Sequence, residues 1–165
     1  MKVLVAGTGN IFRGDDGFGS VLAERLARAR LPPQVTVTDY GLRSLHLAYE
    51  LMNPPDLLIV LDALPRGQAP GTLSLLEADR DHAFSDARPD AFGVALLHAF
   101  AMLRELGREL PRILVIGCEP AEVVERLGLS SVVEAALPSA IELVRRTLER
   151  ELATPAVMAT AGVGA

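Results

Sequence analysis

Lys2-Val3-Leu4-Val5-Ala6-Gly7-Thr8-Gly9 is an apolar run that breaks into a glycine loop. This is the pattern of a buried strand meeting a tight turn. From Gly17 onward the period changes. Phe18, Val21, Leu22, Leu26 and Ala29 fall on one helical face, with Glu24, Arg25 and Arg28 off it. Asp15 and Asp16 stand at the expected start of that helix, where its dipole favours carboxylates. A strand, a loop and a helix in this order are the first unit of a layered α/β sheet.

The rest of the chain repeats the unit. Val35-Thr36-Val37-Thr38 reads as a second strand closing on Asp39-Tyr40-Gly41, and Ser44 to Met52 as a helix stopped by Asn53-Pro54-Pro55. Leu57–Leu61 is a third strand, apolar throughout and ending at Asp62. Thr72–Leu76 is a fourth strand, and Glu77–Pro89 reads as a polar surface loop. Ala91–Leu106 reads as a helix apolar on nearly every side, and Ile113–Ile116 as a fifth strand before Gly117-Cys118-Glu119-Pro120. Ser131-Val132-Val133-Glu134 has capping-box form, and Pro138 is expected to kink or divide the last helix. Strands apolar on both faces predict a mostly parallel five-stranded twisted sheet, with helices on both faces. The expected domain spans residues 1–150, with 151–165 a flexible tail.

Composition narrows the function. Half the residues are apolar, 22% are charged, and the net charge is −5, with Lys2 the only lysine and no tryptophan. No basic stripe interleaved with aromatics exists, which argues against nucleic acid as a partner. Cys118 is the only cysteine, so neither an internal disulfide nor a thiolate zinc site can form. No signal-peptide pattern and no apolar stretch of membrane-spanning length is present, so a cytoplasmic location is expected.

Ligands of such sheets collect beyond the carboxyl ends of the strands. There the chain places Gly7–Gly17, Asp39–Leu42, Asp62-Ala63 and Gly117–Pro120. Asp16 and Asp62, from the loops after the first and third strands, are positioned to converge on one cation. A dinucleotide reading fails: the third glycine of its fingerprint would fall at Phe12, and Asp15 and Asp16 would repel a pyrophosphate. A phosphoacceptor receiver domain needs a late lysine, and none follows Lys2. No nucleotide cofactor is expected.

The string Gly7-Thr8-Gly9-Asn10-Ile11-Phe12-Arg13-Gly14-Asp15-Asp16-Gly17-Phe18-Gly19 is more specific than its glycines. It resembles the opening motif of the hydrogenase maturation proteases. Gly41–Leu51, Leu58-Ile59-Val60-Leu61-Asp62-Ala63 and Val115-Ile116-Gly117-Cys118-Glu119-Pro120-Ala121 are similar to three further segments of that family, in order, over about residues 2–148. The resemblance implies an endopeptidase that removes the C-terminal extension of a nickel-iron hydrogenase large-subunit precursor after nickel insertion. It implies that Asp16 and Asp62 act as metal ligands and catalytic carboxylates toward nickel contributed by that substrate. It also suggests that Gly41 and Arg43 bind the substrate tail.

One family ligand does not carry over. Where the family has histidine before its long helix, this chain reads Asp90-Ala91-Phe92-Gly93. Phe92 has no lone pair to donate, and nickel favours imidazole over carboxylate alone. Three outcomes stay open: Asp90 supplies an oxygen, the substrate's cysteines hold the nickel, or the chain is a non-catalytic maturation factor that binds the nickel-loaded subunit without cutting it. His98 is expected to be a hydrogen-bonded core residue, His82 solvated and His46 a packing residue. Cys118 lacks a nearby base and reads as a small buried side chain rather than a nucleophile.

Overall fold

A computed structural model gives the structure of residues 1–78 and 100–153, the residues described below. The strands are β1 (Val3–Thr8), β2 (Val35–Gly41), β3 (Leu57–Ala63), β4 (Leu73–Ala78) and β5 (Arg112–Cys118). The helices are α1 (Phe18–Ala27), α2 (Ser44–Glu50), α3 (residues 100–105) and α4 (Ser131–Ala153). A single 3-10 turn, Gly14–Gly17, leads into α1.

The strands form one sheet in the order β2-β1-β3-β5-β4. All neighbours are parallel except β4, which runs antiparallel to β5. Alternate side chains of each central strand point to opposite faces, and both faces are covered. On one, Val3, Val5, Leu57, Ile59, Leu61, Leu114 and Ile116 pack with Phe18, Leu22 and Leu26 of α1 and Val133, Leu137 and Val144 of α4. On the other, Leu4, Ala6, Leu58, Val60, Ile113 and Val115 pack with Leu47 and Leu51 and with Phe100 and Leu103 of α3. Each such fully buried large side chain contributes about 1.5–3 kcal/mol relative to exposure, which is why the central strands are apolar at nearly every position. The predicted three-layer fold is the observed one.

Several local expectations change. Glu77 and Ala78 belong to β4 rather than to a loop; the rest of the expected loop, and the helix before Phe100, lie outside the described residues. Pro138 does not divide α4, which is helical from Ser131 to Ala153. Its buried stripe of Val133, Leu137, Ala140, Val144 and Leu148 against the sheet outweighs the roughly 3 kcal/mol that an interior proline costs. The capping box does not form as read either. Ser130 is the capping residue, its hydroxyl facing the Val133 N–H at 3.5 Å, while Glu134 pairs instead with Arg25 of α1. Arg112 bridges β5 to β4 through Glu77, at 2.6 and 3.1 Å, and to α4 through the buried Glu151.

Because β4 is antiparallel, the chain between Ala63 and Leu73 never crosses to the far end of the sheet. Residues 64–72 arch over the end of β5 instead. Leu64 N–H donates to the Cys118 carbonyl at 2.9 Å, Gly71 N–H to the Glu119 carbonyl at 2.8 Å, and Glu119 N–H to the Thr72 carbonyl at 2.9 Å. Residues 65–70, the crown of the arch, are exposed. Among the described residues, no helix is long and apolar enough to cross a membrane.

Candidate active site

The order β2-β1-β3 means the chain leaves β1 in one direction and returns across it to β3. The carboxyl ends of β1 and β3 therefore border the switch point, where such sheets bind ligands. Here the two ends are drawn close. Thr8 Oγ1 donates to the Leu61 carbonyl at 3.0 Å in a buried bond. A Cβ on Gly19 would lie 1.9 Å from the Leu61 oxygen and 2.4 Å from the Thr8 oxygen. Only glycine lets the first turn of α1 sit on both strand ends. A dinucleotide fold uses its third glycine for such close packing, and here a residue further along takes that role.

Gly9 is the pivot of the site. Its φ is +119°, and a Cβ there would stand 1.9 Å from the main-chain oxygen of Asp16 and 3.5 Å from Oδ1 of Asp62. Asp16, through its main-chain oxygen, and Asp62, through its carboxylate, thus both approach Gly9, and both residues are partly buried. Asp16 Oδ2 accepts the Asn10 N–H at 3.1 Å, which ties the carboxylate back across its own loop. Asp62 Oδ1 accepts the Ala63 N–H at 2.8 Å. The end of β2 closes a third side: Gly9 N–H donates to the Gly41 carbonyl at 3.2 Å. The Arg43 guanidinium is held by the carbonyls of Tyr40 at 3.2 Å and Asp39 at 2.7 Å, which stiffens the Gly41 turn.

Asp15, beside Asp16 in sequence, faces away from this point. It is fully buried. Its Oδ1 accepts the Ser130 N–H at 2.6 Å; its Oδ2 accepts the N–H groups of Ala121 and Glu122 at 2.8 and 2.9 Å and the Ser130 hydroxyl at 2.8 Å. Asp15 therefore holds Ser130, the residue that caps α4, rather than capping α1. Burial pushes its carboxyl up, but these four bonds, led by that from the Ser130 N–H, outweigh it and hold the group below the ordinary carboxylate range. Glu119 is a second buried acid. Its carboxylate accepts the N–H groups of Arg66 at 2.7 Å and Gly67 at 3.2 Å, gripping the arch that follows Asp62. Between them, Cys118 is buried, and burial together with the Asp15 and Glu119 charges pushes its thiol up to about 11. A thiol so raised is no nucleophile near neutral pH.

Of the residues singled out from sequence, Asp16, Asp62, Gly41 and Arg43 fall at one rim of the sheet. His46 is exposed on α2 rather than packed: the buried face of that short helix is taken by Leu47, Ala48 and Leu51. His82, Asp90, Phe92 and His98 lie outside the described residues. Among the described residues, no three His, Cys, Asp or Glu side chains gather into a metal site. Asp16 and Asp62 are two hard-oxygen donors, a set suited to approaching a cation that brings its own ligands.

Known proteins share this fold and sequence pattern. The sequence profile described as hydrogenase maturation protease matches residues 21–147. The chain belongs to the hydrogenase maturation protease family. It is 33% identical over 150 residues to the hydrogenase expression/formation protein HupD of Rhizobium leguminosarum, covering 89% of this chain and 74% of that one. It is 33% identical over 149 residues to a putative hydrogenase maturation protease of Methanocaldococcus jannaschii, covering 86% and 93%. The solved structure of the hydrogenase maturating endopeptidase HybD from E. coli superposes with a TM-score of 0.81 at 29% identity, over 92% of this chain and 94% of that one. Membership of this family makes the chain a protease of hydrogenase maturation.

Sequence reasoning missed Asp15, Glu119 and Gly19. Asp15 binds mainly main-chain N–H groups over a hundred positions away, and no local pattern announces them. Glu119 carried a faint signal, as an acid directly after an apolar strand. Gly19 was quoted within the opening string, but its steric role depends on where Leu61 lies.

Proposed function

We propose that this maturation protease is an endopeptidase that removes the C-terminal extension of a nickel-iron hydrogenase large-subunit precursor once nickel has been inserted. The observation that supports the reading is that the loop carrying Asp16 and the carboxylate of Asp62 both approach Gly9 at the switch point. Two carboxylates there can approach the substrate's nickel and fix the adjoining peptide bond in place. The nickel, held by the substrate, would polarise the scissile carbonyl; alternatively, one carboxylate activates water directly. Gly41, at the end of β2, and Arg43, just after it, would line the path of the tail. Asp90, two residues before Phe92, would supply a third oxygen donor to the same ion unless the substrate's cysteines already hold it.

The test is co-expression of the full chain with a large-subunit precursor, with and without nickel, followed by the C-terminal mass of that subunit. Nickel-dependent shortening, lost in Asp16→Ala and in Asp62→Ala, is the expected result. Phe92 in place of the family's histidine favours a second reading, a factor that binds without cutting. A stable complex with an intact tail would establish that reading and remove the first. In purified chain, Phe92→His should tighten nickel binding; an unchanged titration would show that residue 92 does not face the site.

A further inference from the structure

The β1 loop carrying Asp16 and the β3 arch following Asp62 are both held by the connection between β5 and α4, each through a buried carboxylate. Asp15 takes hydrogen bonds from Ala121, Glu122 and both donors of Ser130, and the main chain doubles the grip. Asp15 N–H donates to the Glu122 carbonyl at 3.0 Å, Gly14 N–H to the Arg126 carbonyl at 2.8 Å, and Arg126 N–H to the Phe12 carbonyl at 3.1 Å. On the other side, Glu119 holds the N–H groups of Arg66 and Gly67. The two acids are buried from solvent, and neither belongs to the pair that approaches Gly9.

We propose that Asp15 and Glu119 are positioning residues for peptide cleavage, bracing the Asp16 loop and the Asp62 arch against one β5–α4 connection and so setting the separation of those two carboxylates. The inference rests on the reading of Asp16 and Asp62 as the working pair. Carboxylates suit the role because each oxygen accepts from N–H donors. An amide in their place satisfies one set and turns its own NH2 group against the other. Asp15→Asn must set its NH2 either against the Ser130 N–H or against those of Ala121 and Glu122. Glu119→Gln must set it against Arg66 or Gly67. In both variants a donor faces a donor, and the loop must shift to relieve it. A displacement of about 1 Å at reacting groups costs on the order of 100-fold in rate.

The test measures precursor cleavage by the purified full chain over a range of precursor concentrations. It is run well below each variant's melting temperature, with folding verified by circular dichroism. Asp15→Asn and Glu119→Gln are expected to lower kcat by about 10–100-fold while leaving KM within about twofold. Ser130→Ala removes one bond to Asp15, together with the long contact to the Val133 N–H, and leaves the other Asp15 bonds, so it provides a milder variant if Asp15→Asn does not fold; its kcat should fall by a smaller factor at unchanged KM. Fully folded variants that cleave like the wild type, or that lose rate only through KM, would overturn the brace. Asp16→Ala and Asp62→Ala run alongside. If they lose cleavage while the brace variants keep it, the brace alone is wrong. If they cleave normally, the assignment of the working pair falls, and the brace with it.

Discussion

The Asp15 carboxylate meets Ser130 twice, through the Ser130 N–H at 2.6 Å and its hydroxyl at 2.8 Å, so the loop after β1 is fastened to the start of α4. This has a measurable pH dependence. The folded-state acidity of Asp15 lies below the ordinary aspartate value of 3.8, so its contribution to stability is complete above that value. It is lost as pH falls through the lower, folded value. Asp15→Asn should be less stable by about 2–3 kcal/mol near neutral pH, for a buried donor left unmatched. In urea unfolding series the gap from wild type should narrow below pH 4. A gap of constant size down to pH 2 would show that the carboxylate charge contributes nothing.

Gly19→Ala should be among the costliest single-methyl changes in the chain, because its Cβ would meet the Leu61 and Thr8 oxygens at 1.9 and 2.4 Å. Backbone cannot swing aside as a side-chain end can, so α1 must lift from the strands, at about 3 kcal/mol or more. Gly107→Ala is the contrast. Its φ is +67° and nothing lies within 4 Å of the added carbon, so only backbone strain of about 1 kcal/mol applies. Thermal melting should rank the two in that order, and equal shifts would contradict the close approach.

Cys118 should be silent toward iodoacetamide in the native protein at pH 7 and react fully in denaturant. Its folded thiol value is raised to about 11 from 9.0, so the stability it contributes is present below pH 9 and is lost as pH climbs from 9 toward 11. Cys118→Ala should still process the precursor. Loss of cleavage in that variant, with the fold intact, would bring back a thiol mechanism.

Pro138→Ala should raise the melting temperature. The new N–H can donate within α4, and an interior proline is unfavourable by up to about 3 kcal/mol. A lower melting temperature would mean that the proline ring's packing exceeds the hydrogen bond it removes.

The fold could be read from sequence because β1, β3 and β5 are apolar at nearly every position, which only a sheet covered on both faces requires. Strand ends were read short for a physical reason. Thr8, Gly41, Asp62 and Cys118 extend their strands through main-chain pairing that their side chains do not advertise. Asp16 and Asp62 were legible through strand-end position and family-like strings. The supports behind them were not. Asp15 looked like a helix-start acid from its neighbours, and only the folded chain brings Ser130 and Ala121 to it.

The antiparallel β4 has a consequence for how relatives of this protein can diverge. A parallel strand would have needed a crossover spanning the sheet, and any change in its length would strain the layers beneath. The 64–72 arch instead starts and ends at the same rim, pinned at Leu64, Gly71 and Thr72. Residues can be inserted between Gly67 and Pro70 without shifting a single strand. That makes the crown of the arch a place where the profile presented to an incoming protein can be redrawn while the scaffold stays fixed.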